Sequence, residues 1–254
     1  MNNNKIKNKK TLVVIPARMG SSRFPGKVIA DLCGKPMIQW VYENAKKSIA
    51  DEVIIATDAE EVIKLCEKFT TNVMMTSDKH PSGTDRIHEV IQHRDDVDVV
   101  INVQGDEPLI PVSVIDELIH LMQNDTNKLM ATVVVPKKRS EIGDDPNKVK
   151  VVITKNGKAL YFSRANIPFL REDGGEEMTS YLHWGIYGYR SKVLEKFVNS
   201  PEGKLEKSEK LEQLRAMENG IEIYTIQSNL ESIGVDTEED LINAEKKIKE
   251  LGLT

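Results

Sequence analysis

Short apolar runs alternate with amphipathic segments through the first half of the chain. Residues 11–16, 53–57 and 97–103 are almost continuously apolar and rich in β-branched side chains, which is typical of parallel strands buried on both faces. Between them, residues 36–47 and the residues after Asp58 carry apolar side chains at helical spacing. The alternation predicts an α/β fold in which helices flank a mostly parallel sheet.

The pattern changes after Pro136. Further strands are predicted at 149–154, 159–162 and 182–189, and Asn156-Gly157 marks a tight hairpin between the first two. The pattern therefore predicts a smaller antiparallel insertion over residues 137–190, which would serve either as a substrate lid or as a subunit contact. Beyond it, the spacing predicts one amphipathic helix over 205–219, a strand over 221–226 and a terminal helix after Asp236.

Composition narrows the class of protein. The 254 residues are 39% hydrophobic and 30% charged, which suits a soluble protein with a single domain over 11–254 after a disordered polar tail, 1–10. A net charge of −5 argues against general nucleic-acid binding, and no apolar run is long enough to cross a membrane. The two cysteines lack metal or redox spacing, so a cytoplasmic location is expected.

A cationic loop follows the first strand. Residues 17–27 combine Arg18, Arg23 and Lys27 with the hydroxyls of Ser21 and Ser22, and backbone N–H groups there would form a concave site for a polyphosphate. The loop is not a Walker A sequence, because a valine follows the Gly-Lys pair where a metal-binding hydroxyl is needed. The alternative is a solvated basic loop that binds nothing.

Ser82 and Gly83 start a helix-like segment, with Asp85 at capping-box spacing. The pair is either a plain helix cap or, with Arg86, the border of a nucleotide base or ribose site. The histidines His80, His88 and His93 have no convergent carboxylate or cysteine pattern, and they are expected to be surface or core residues.

Two aspartates each end an apolar segment at the expected ligand edge of the sheet. Asp106 follows the strand at 97–103, and Asp236 ends the last loop. Magnesium takes one or two protein carboxylates and completes its octahedron with phosphate oxygens and water, so this pair would suffice beside a nucleoside triphosphate. The competing explanation for Asp236 is structural, because Thr237 and Asp240 form a helix-start motif.

Several segments, in order and spacing, resemble the 3-deoxy-manno-octulosonate (Kdo) cytidylyltransferase family over nearly everything from Thr11 to Ile248. They are IPARMGSSRFPGK, GKPMI, SGTDR, NVQGDEP, ALYFSRANIP, HWGIYGYR, EKLEQLR and GVDTEEDL. The resemblance implies a nucleotide-diphosphosugar-transferase type fold, a homodimer and dependence on Mg²⁺. It implies the reaction of CTP with Kdo to give CMP-Kdo and pyrophosphate, for lipopolysaccharide synthesis.

The resemblance also implies roles for individual residues. Nucleotide binding would fall to Ala17, Arg18, Ser21, Ser22, Arg23, Lys27, Ser82, Gly83 and Gln104. Catalysis would rest on Arg18, Lys27, Asp106 and Asp236, with the two aspartates as metal ligands. Sugar binding would fall to Arg164, His183, Tyr187, Glu212 and Gln213. The rival hypotheses are the same reaction on 8-amino-3,8-dideoxy-octulosonate, and a catalytically silent nucleotide-binding module.

Overall fold

The structure is a computed structural model that describes residues 9–20, 24–171, 179–230 and 233–253. These residues divide into two compact units. The first contains the residues up to Val112 together with those from 233 onward, and the second contains the residues from Ser113 to 230. The single domain over 11–254 stays a prediction, and the tail at 1–8 lies outside the described residues.

The first unit is built on a parallel sheet. Its elements up to residue 112 are β1 (Lys10–Pro16), β2 (Asp31–Leu32), β3 (Lys35–Pro36), α1 (Met37–Ala45), β4 (Glu52–Thr57), α2 (Glu60–Cys66), β5 (Val73–Met75), α3 (Gly83–Ile91) and β6 (Val97–Asn102). Strand β1 pairs in parallel with β4 and β6, and β4 pairs in parallel with β5. The predicted strands and the parallel sheet are confirmed, and their buried apolar runs explain the pairing.

The second unit is mostly antiparallel. Its elements are α4 (Val112–Asn124), β7 (Met130–Lys138), α5 (Arg139–Ile142), β8 (Lys150–Ile153), β9 (Ala159–Ser163), β10 (Thr179–Arg190), α6 (Ser191–Val198), α7 (Lys204–Glu209), α8 (Gln213–Glu218) and β11 (Ile223–Gln227). Strand β10 runs antiparallel to β7 and β8, and β8 antiparallel to β9, while β11 joins β7 in parallel. The predicted hairpin turns at Gly157, which has a φ of 79°.

The prediction of one helix over 205–219 is wrong. Two short helices, α7 and α8, occupy the segment, because Lys210 adopts the left-handed conformation with a φ of 52° and ends α7. Arg215 donates to both oxygens of the Glu206 carboxylate at 2.7 and 2.8 Å. In one continuous helix these residues would be about 13.5 Å apart along the axis, so the ion pair requires the break.

The chain returns to the first unit with α9 (Glu238–Glu250). Apolar side chains of this helix and of Val235 pack against Leu32, Met37 and Trp40 in one buried cluster. The Trp40 indole donates to the Leu32 carbonyl at 2.7 Å. Burying this apolar surface brings the segment before α9 back to the N-terminal part of the unit. No helix among the described residues is long and apolar enough to span a bilayer.

Candidate active site

A polar cavity of about 410 Å³ lies within the first unit, where β1 and β6 end. Open α/β sheets bind their ligands at this carboxyl edge. The cavity is lined by residues from four segments: Pro16, Arg18, Lys27, Val28, His80, Pro81, Ser82, Gly83, Arg86, Gln104, Gly105, Asp106 and Asp236. The cationic loop and the two aspartates, which are far apart in sequence, thus meet around one space.

The ammonium of Lys27 lies between the carboxylates of Asp106 and Asp236. The Nζ atom is 2.5 Å from Asp106 Oδ2 and 2.8 Å from Asp236 Oδ1. Burial acts to lower the pKa of Lys27, but attraction to Asp106 and then to Asp236 outweighs it, so the pKa lies above its ordinary value. The lysine side chain is only 12% exposed, against 27% for Asp106 and 45% for Asp236. Lys27 is therefore a cation, with one carboxylate on each side.

Backbone geometry positions the three charged side chains. Gly26, with a φ of 70°, turns the chain sharply and donates to the Met19 carbonyl at 3.1 Å, so that Lys27 begins a 3₁₀ turn over Lys27–Ile29. The Val235 N–H donates to the Asp106 carbonyl at 2.9 Å. This hydrogen bond ties the loop after β6 to the segment that carries Asp236.

The two sequence interpretations of Asp236 describe different side chains. Thr237 is the N-cap of α9, and the Asp240 carboxylate accepts from the N–H groups of Thr237 at 2.9 Å and Asp236 at 3.1 Å. The helix-start motif is confirmed in Thr237 and Asp240. The Asp236 carboxylate is left to face Lys27.

The cations of the cavity differ in how far they are already paired. Arg18 is exposed at the rim, and the part of the chain that is described offers it no ion-pair partner. Arg86 is buried, and its guanidinium donates to Asp58 at 2.6 Å and to Thr76. Arg18 can thus meet an incoming anion directly, whereas Arg86 is bound to the protein itself.

Part of the predicted nucleotide set is not in the cavity wall. Ala17 is fully buried, does not line the cavity, and donates its N–H to the Ala56 carbonyl at 2.8 Å. Its backbone donor is therefore not available to a phosphate. Ser21, Ser22 and Arg23 lie outside the described residues.

The helix-start residues cap a helix and also line the cavity. The Ser82 hydroxyl accepts from the N–H groups of Thr84 at 3.1 Å and Asp85 at 3.3 Å. Both Ser82 and Gly83 border the cavity, as does Gln104. Gly105 has a steric role, since a Cβ there would lie 2.7 Å from the Pro16 carbonyl oxygen. Only glycine lets the two strand ends approach this closely.

His80 was expected to be a surface or core residue, but it lines the cavity. Its Nε2 contacts the Glu89 carboxylate from α3. Sequence spacing missed this residue because its partner lies on a helix that starts after it. The sequence feature that could have indicated a position at the cavity is that His80 lies two residues before Ser82.

Two of the five predicted sugar-binding residues, His183 and Tyr187, belong to a row of aromatic rings in the second unit. The His183 ring lies 5.1 Å from Phe162, edge to face, and 5.3 Å from Tyr187. The Thr132 hydroxyl lies 3.1 Å from His183 Nε2 and donates to the Ile186 carbonyl at 2.7 Å. Since a hydroxyl has one hydrogen, we assign the Nε2–H of His183 as donor to Thr132.

Burial shifts the pKa values of two side chains in this row, His183 and Tyr187. It lowers the pKa of His183 to about 3, so the imidazole is neutral near pH 7. It also raises the pKa of Tyr187 well above its ordinary value, with Tyr189 and Glu212 adding to the rise. Thr132 acts to lower the pKa of Tyr187. The Tyr187 hydroxyl itself has no hydrogen-bond partner among the described residues.

The other three residues predicted to bind the sugar differ in how many hydrogen bonds they make within the protein. Arg164 donates to three backbone carbonyls, those of Glu209 at 2.7 Å, Pro146 at 2.9 Å and Lys210 at 3.2 Å. A guanidinium has five N–H donors, so two remain. Glu212 contacts Arg215 at 3.4 Å. The Gln213 amide nitrogen is buried without a hydrogen-bond partner among the described residues.

Comparisons with known proteins show the family of this chain. The cytidylyltransferase family model matches residues 12–223. A 3-deoxy-manno-octulosonate cytidylyltransferase from Thermodesulfovibrio yellowstonii is 50% identical, over 93% of this chain and 97% of that protein. The enzyme of the same name from Saccharophagus degradans is 47% identical over 94% and 98%. The chain belongs to the 3-deoxy-manno-octulosonate cytidylyltransferase family.

Solved structures confirm the predicted fold class. A CMP:2-keto-3-deoxy-manno-octonic acid synthetase, solved in complex with CTP, superposes with a TM-score of 0.90 at 40% identity, over 95% of this chain and 99% of that one. A 4-diphosphocytidyl-2C-methyl-D-erythritol synthase from Anaerococcus prevotii superposes with a TM-score of 0.64 at 15% identity, over 95% and 99%. The second likeness extends to the fold alone.

In this cytidylyltransferase the two aspartates are chemically suited to a divalent ion. Asp106 and Asp236 converge on one cationic atom, the Lys27 ammonium, so a positive charge is accommodated between them. No cluster of three or more acidic, histidine or cysteine ligands occurs in the described ranges. A magnesium ion, which needs only one or two carboxylates when phosphate oxygens complete its shell, suits this donor set.

Proposed function

We propose that this protein transfers the cytidylyl group of CTP to 3-deoxy-manno-octulosonate, giving CMP-Kdo and pyrophosphate. The observation that carries the proposal is the Lys27 ammonium held between Asp106 and Asp236 on the wall of a polar cavity. Phosphoryl transfer needs alignment and neutralisation of charge more than covalent help. A cation and two metal-binding carboxylates at one rim provide both.

In the reaction, the anomeric hydroxyl oxygen of the sugar forms a bond to the α-phosphorus. The bond from that phosphorus to the bridging oxygen of the β-phosphate breaks, and pyrophosphate leaves with the electron pair. The hydroxyl proton passes to solvent or to phosphate. Lys27 and Arg18 both line the cavity, and we assign to them the neutralisation of the leaving group.

Asp106 and Asp236 would hold magnesium, which when bound supplies charge neutralisation and makes a coordinated hydroxyl more acidic. Lys27 cannot keep its present contacts in that state, because its ammonium occupies the space between the same carboxylates. We infer that Lys27 moves its hydrogen bonds from the carboxylates to phosphate oxygens when metal and nucleotide enter. A flexible four-carbon side chain allows this change.

The second unit offers groups suited to a carboxylated polyol. Two N–H donors of Arg164 remain after its three carbonyl contacts, and guanidinium groups bind carboxylates in paired geometry. The Tyr187 hydroxyl and the Gln213 amide nitrogen are buried and lack partners among the described residues. Buried polar groups are normally hydrogen-bonded, so sugar hydroxyls are the proposed partners.

The family resemblance also suggests a homodimer in the cytoplasm. Phe169 is 86% exposed and Leu160 is 53% exposed, both within the predicted antiparallel region. A second copy would remove this apolar surface from water. Light scattering after size-exclusion chromatography tests the dimer and does not depend on the reaction.

The proposed function is tested by pyrophosphate release. The full chain is assayed in the presence of magnesium with each of the four nucleoside triphosphates, together with Kdo, with its 8-amino analogue or with no sugar. We expect release only with CTP and Kdo together. Release with the 8-amino analogue but not with Kdo would reassign the sugar, and no release with either would favour a silent nucleotide-binding module.

A further inference from the structure

The connection between β5 and α3 forms one wall of the cavity. At its start, Thr76 is fixed to β4, since its N–H and its hydroxyl both donate to the Thr57 carbonyl, at 2.8 and 2.9 Å. At its end, Ser82 caps α3. Between these fixed points, His80 and Pro81 face the cavity. The wall is therefore anchored at both ends, with a histidine in its middle.

Glu89 holds this wall from behind. Its carboxylate accepts from the Ser77 N–H at 2.9 Å and contacts His80 Nε2. Glu89 itself does not line the cavity. It therefore does not line the space that a ligand would occupy, and it supports two residues of the wall, Ser77 and His80.

The Glu89 contact occupies one of the two ring nitrogens of His80. Burial acts to raise the pKa of Glu89, but the hydrogen bonds from Ser77 and His80 outweigh it, so the pKa lies below its ordinary value. An ionised carboxylate only accepts, so His80 Nε2 carries the hydrogen in this contact. The Nδ1 atom is the other hydrogen-bonding atom of the ring.

The wall around His80 is less suited to phosphate than the loop that follows β1. The Arg86 guanidinium on this side is already bound to Asp58 and Thr76, and the Glu89 carboxylate adds a negative charge behind His80. Arg18 and Lys27 lie on the loop after β1 instead. A neutral nucleoside suits the wall around His80, and the polyphosphate suits the cationic loop after β1.

We propose that His80 contacts the nucleoside half of the bound nucleotide and that Glu89 is a positioning residue that fixes the orientation of His80. The proposal rests on the proposed function for the identity of the nucleotide. Losing one hydrogen bond of this kind weakens binding by roughly 10-fold. Glu89→Ala is expected to have a similar effect, because the imidazole is then free to rotate.

The test is calorimetric titration of the full chain with CTP, cytidine and inorganic tripolyphosphate, without sugar. His80→Ala and His80→Gln should weaken binding of CTP and cytidine roughly 10-fold and leave tripolyphosphate unchanged. Glu89→Gln should keep most of the affinity, because its amide oxygen still accepts from His80. The matched control is His93→Ala, an exposed histidine outside the cavity, which should bind as the parent does.

The double variant separates positioning from a structural effect. If Glu89 acts through His80, Glu89→Ala costs no further affinity in the His80→Ala background. An equal loss in both backgrounds would overturn the positioning role, and unchanged CTP binding by folded His80→Ala would overturn the contact. A loss confined to tripolyphosphate would overturn its assignment to the nucleoside. None of these outcomes depends on Kdo turnover, which tests the proposed function separately.

Discussion

The Lys27 ammonium lies 2.8 Å from the Asp236 carboxylate, although 209 positions separate the two residues in sequence. Packing of α9 against β2 and α1 accounts for this proximity, because it returns the C-terminal segment to the loop after β1. One cation and two acidic groups then share a rim with Arg18. This arrangement leads to predictions about charge, metal binding and backbone geometry.

Removing either acidic charge is expected to remove most turnover. Asp106→Asn and Asp236→Asn keep the shape of the side chain but lose the charge that holds a divalent ion, so pyrophosphate release should fall on the order of 100-fold or more. Circular dichroism should show an intact fold. Asp95→Asn, at an exposed position outside the cavity, is the control. A variant with near-normal rates at limiting magnesium would contradict a metal role for that aspartate.

Replacing Lys27 should have opposite effects on turnover and on metal binding. Lys27→Gln loses the cation that neutralises pyrophosphate, so turnover should fall on the order of 100-fold. It also removes the ammonium that competes for both carboxylates. Because a partly exposed ion pair is worth about 1 kcal/mol, Mn²⁺ should bind roughly fivefold to 10-fold more tightly without nucleotide.

Electron paramagnetic resonance of free Mn²⁺ measures this change directly. Lys35→Gln is the matched control, since Lys35 pairs with Glu43 in the same unit and lies outside the cavity. Equal Mn²⁺ affinity in Lys27→Gln and the parent protein would show that the ammonium and the metal do not share a site.

Much of this site could be predicted from sequence because its anchors follow buried strands. Apolar runs located β1 and β6, and strand ends in a parallel sheet share an edge. That rule indicated that the loop containing Lys27 and the loop containing Asp106 would meet. Asp236 could be included because it also ends a segment that leads to this edge, and the helix-start motif after it was the competing explanation.

The rest depended on contacts that a local pattern does not record. Lys210 carries no sequence signal for the left-handed conformation that splits the predicted helix, since non-glycine residues rarely adopt it. His80 depends on Glu89, nine positions later and on a different element. The position of the Lys27 ammonium depends on flexible side-chain torsions as well as on the fold.

Gly105 should not tolerate even a methyl group. Gly105→Ala would place its Cβ 2.7 Å from the Pro16 carbonyl oxygen, a backbone atom that cannot rotate away. Overpacking of this kind costs about 1–3 kcal/mol, and the shift would also move the neighbouring Asp106. We expect a lower urea midpoint and weaker CTP binding. Gly234→Ala should match the parent, because a Cβ there would have no described atom within 4 Å apart from its chain neighbours. Equal behaviour of both variants would contradict the steric role.

His183 should make the folded protein sensitive to acid. Its pKa is about 3 in the folded state and ordinarily 6.5, so between these values the unfolded chain binds a proton that the folded chain does not. The free energy of unfolding should therefore fall as the pH drops below about 6.5. His183 as a whole residue is partly exposed, so the loss expected from pH 7 to pH 5 is about 1–2 kcal/mol.

Urea denaturation at pH 7 and pH 5 measures this loss. His183→Gln removes the titrating group while keeping an N–H donor for Thr132, so its two midpoints should lie closer together than those of the parent. His93→Gln removes an exposed histidine and should leave the parent's pH dependence intact. If His183→Gln loses as much stability on acidification as the parent does, the folded and unfolded states bind the imidazole proton equally well. Burial then does not lower the pKa of His183, and the predicted acid sensitivity is wrong.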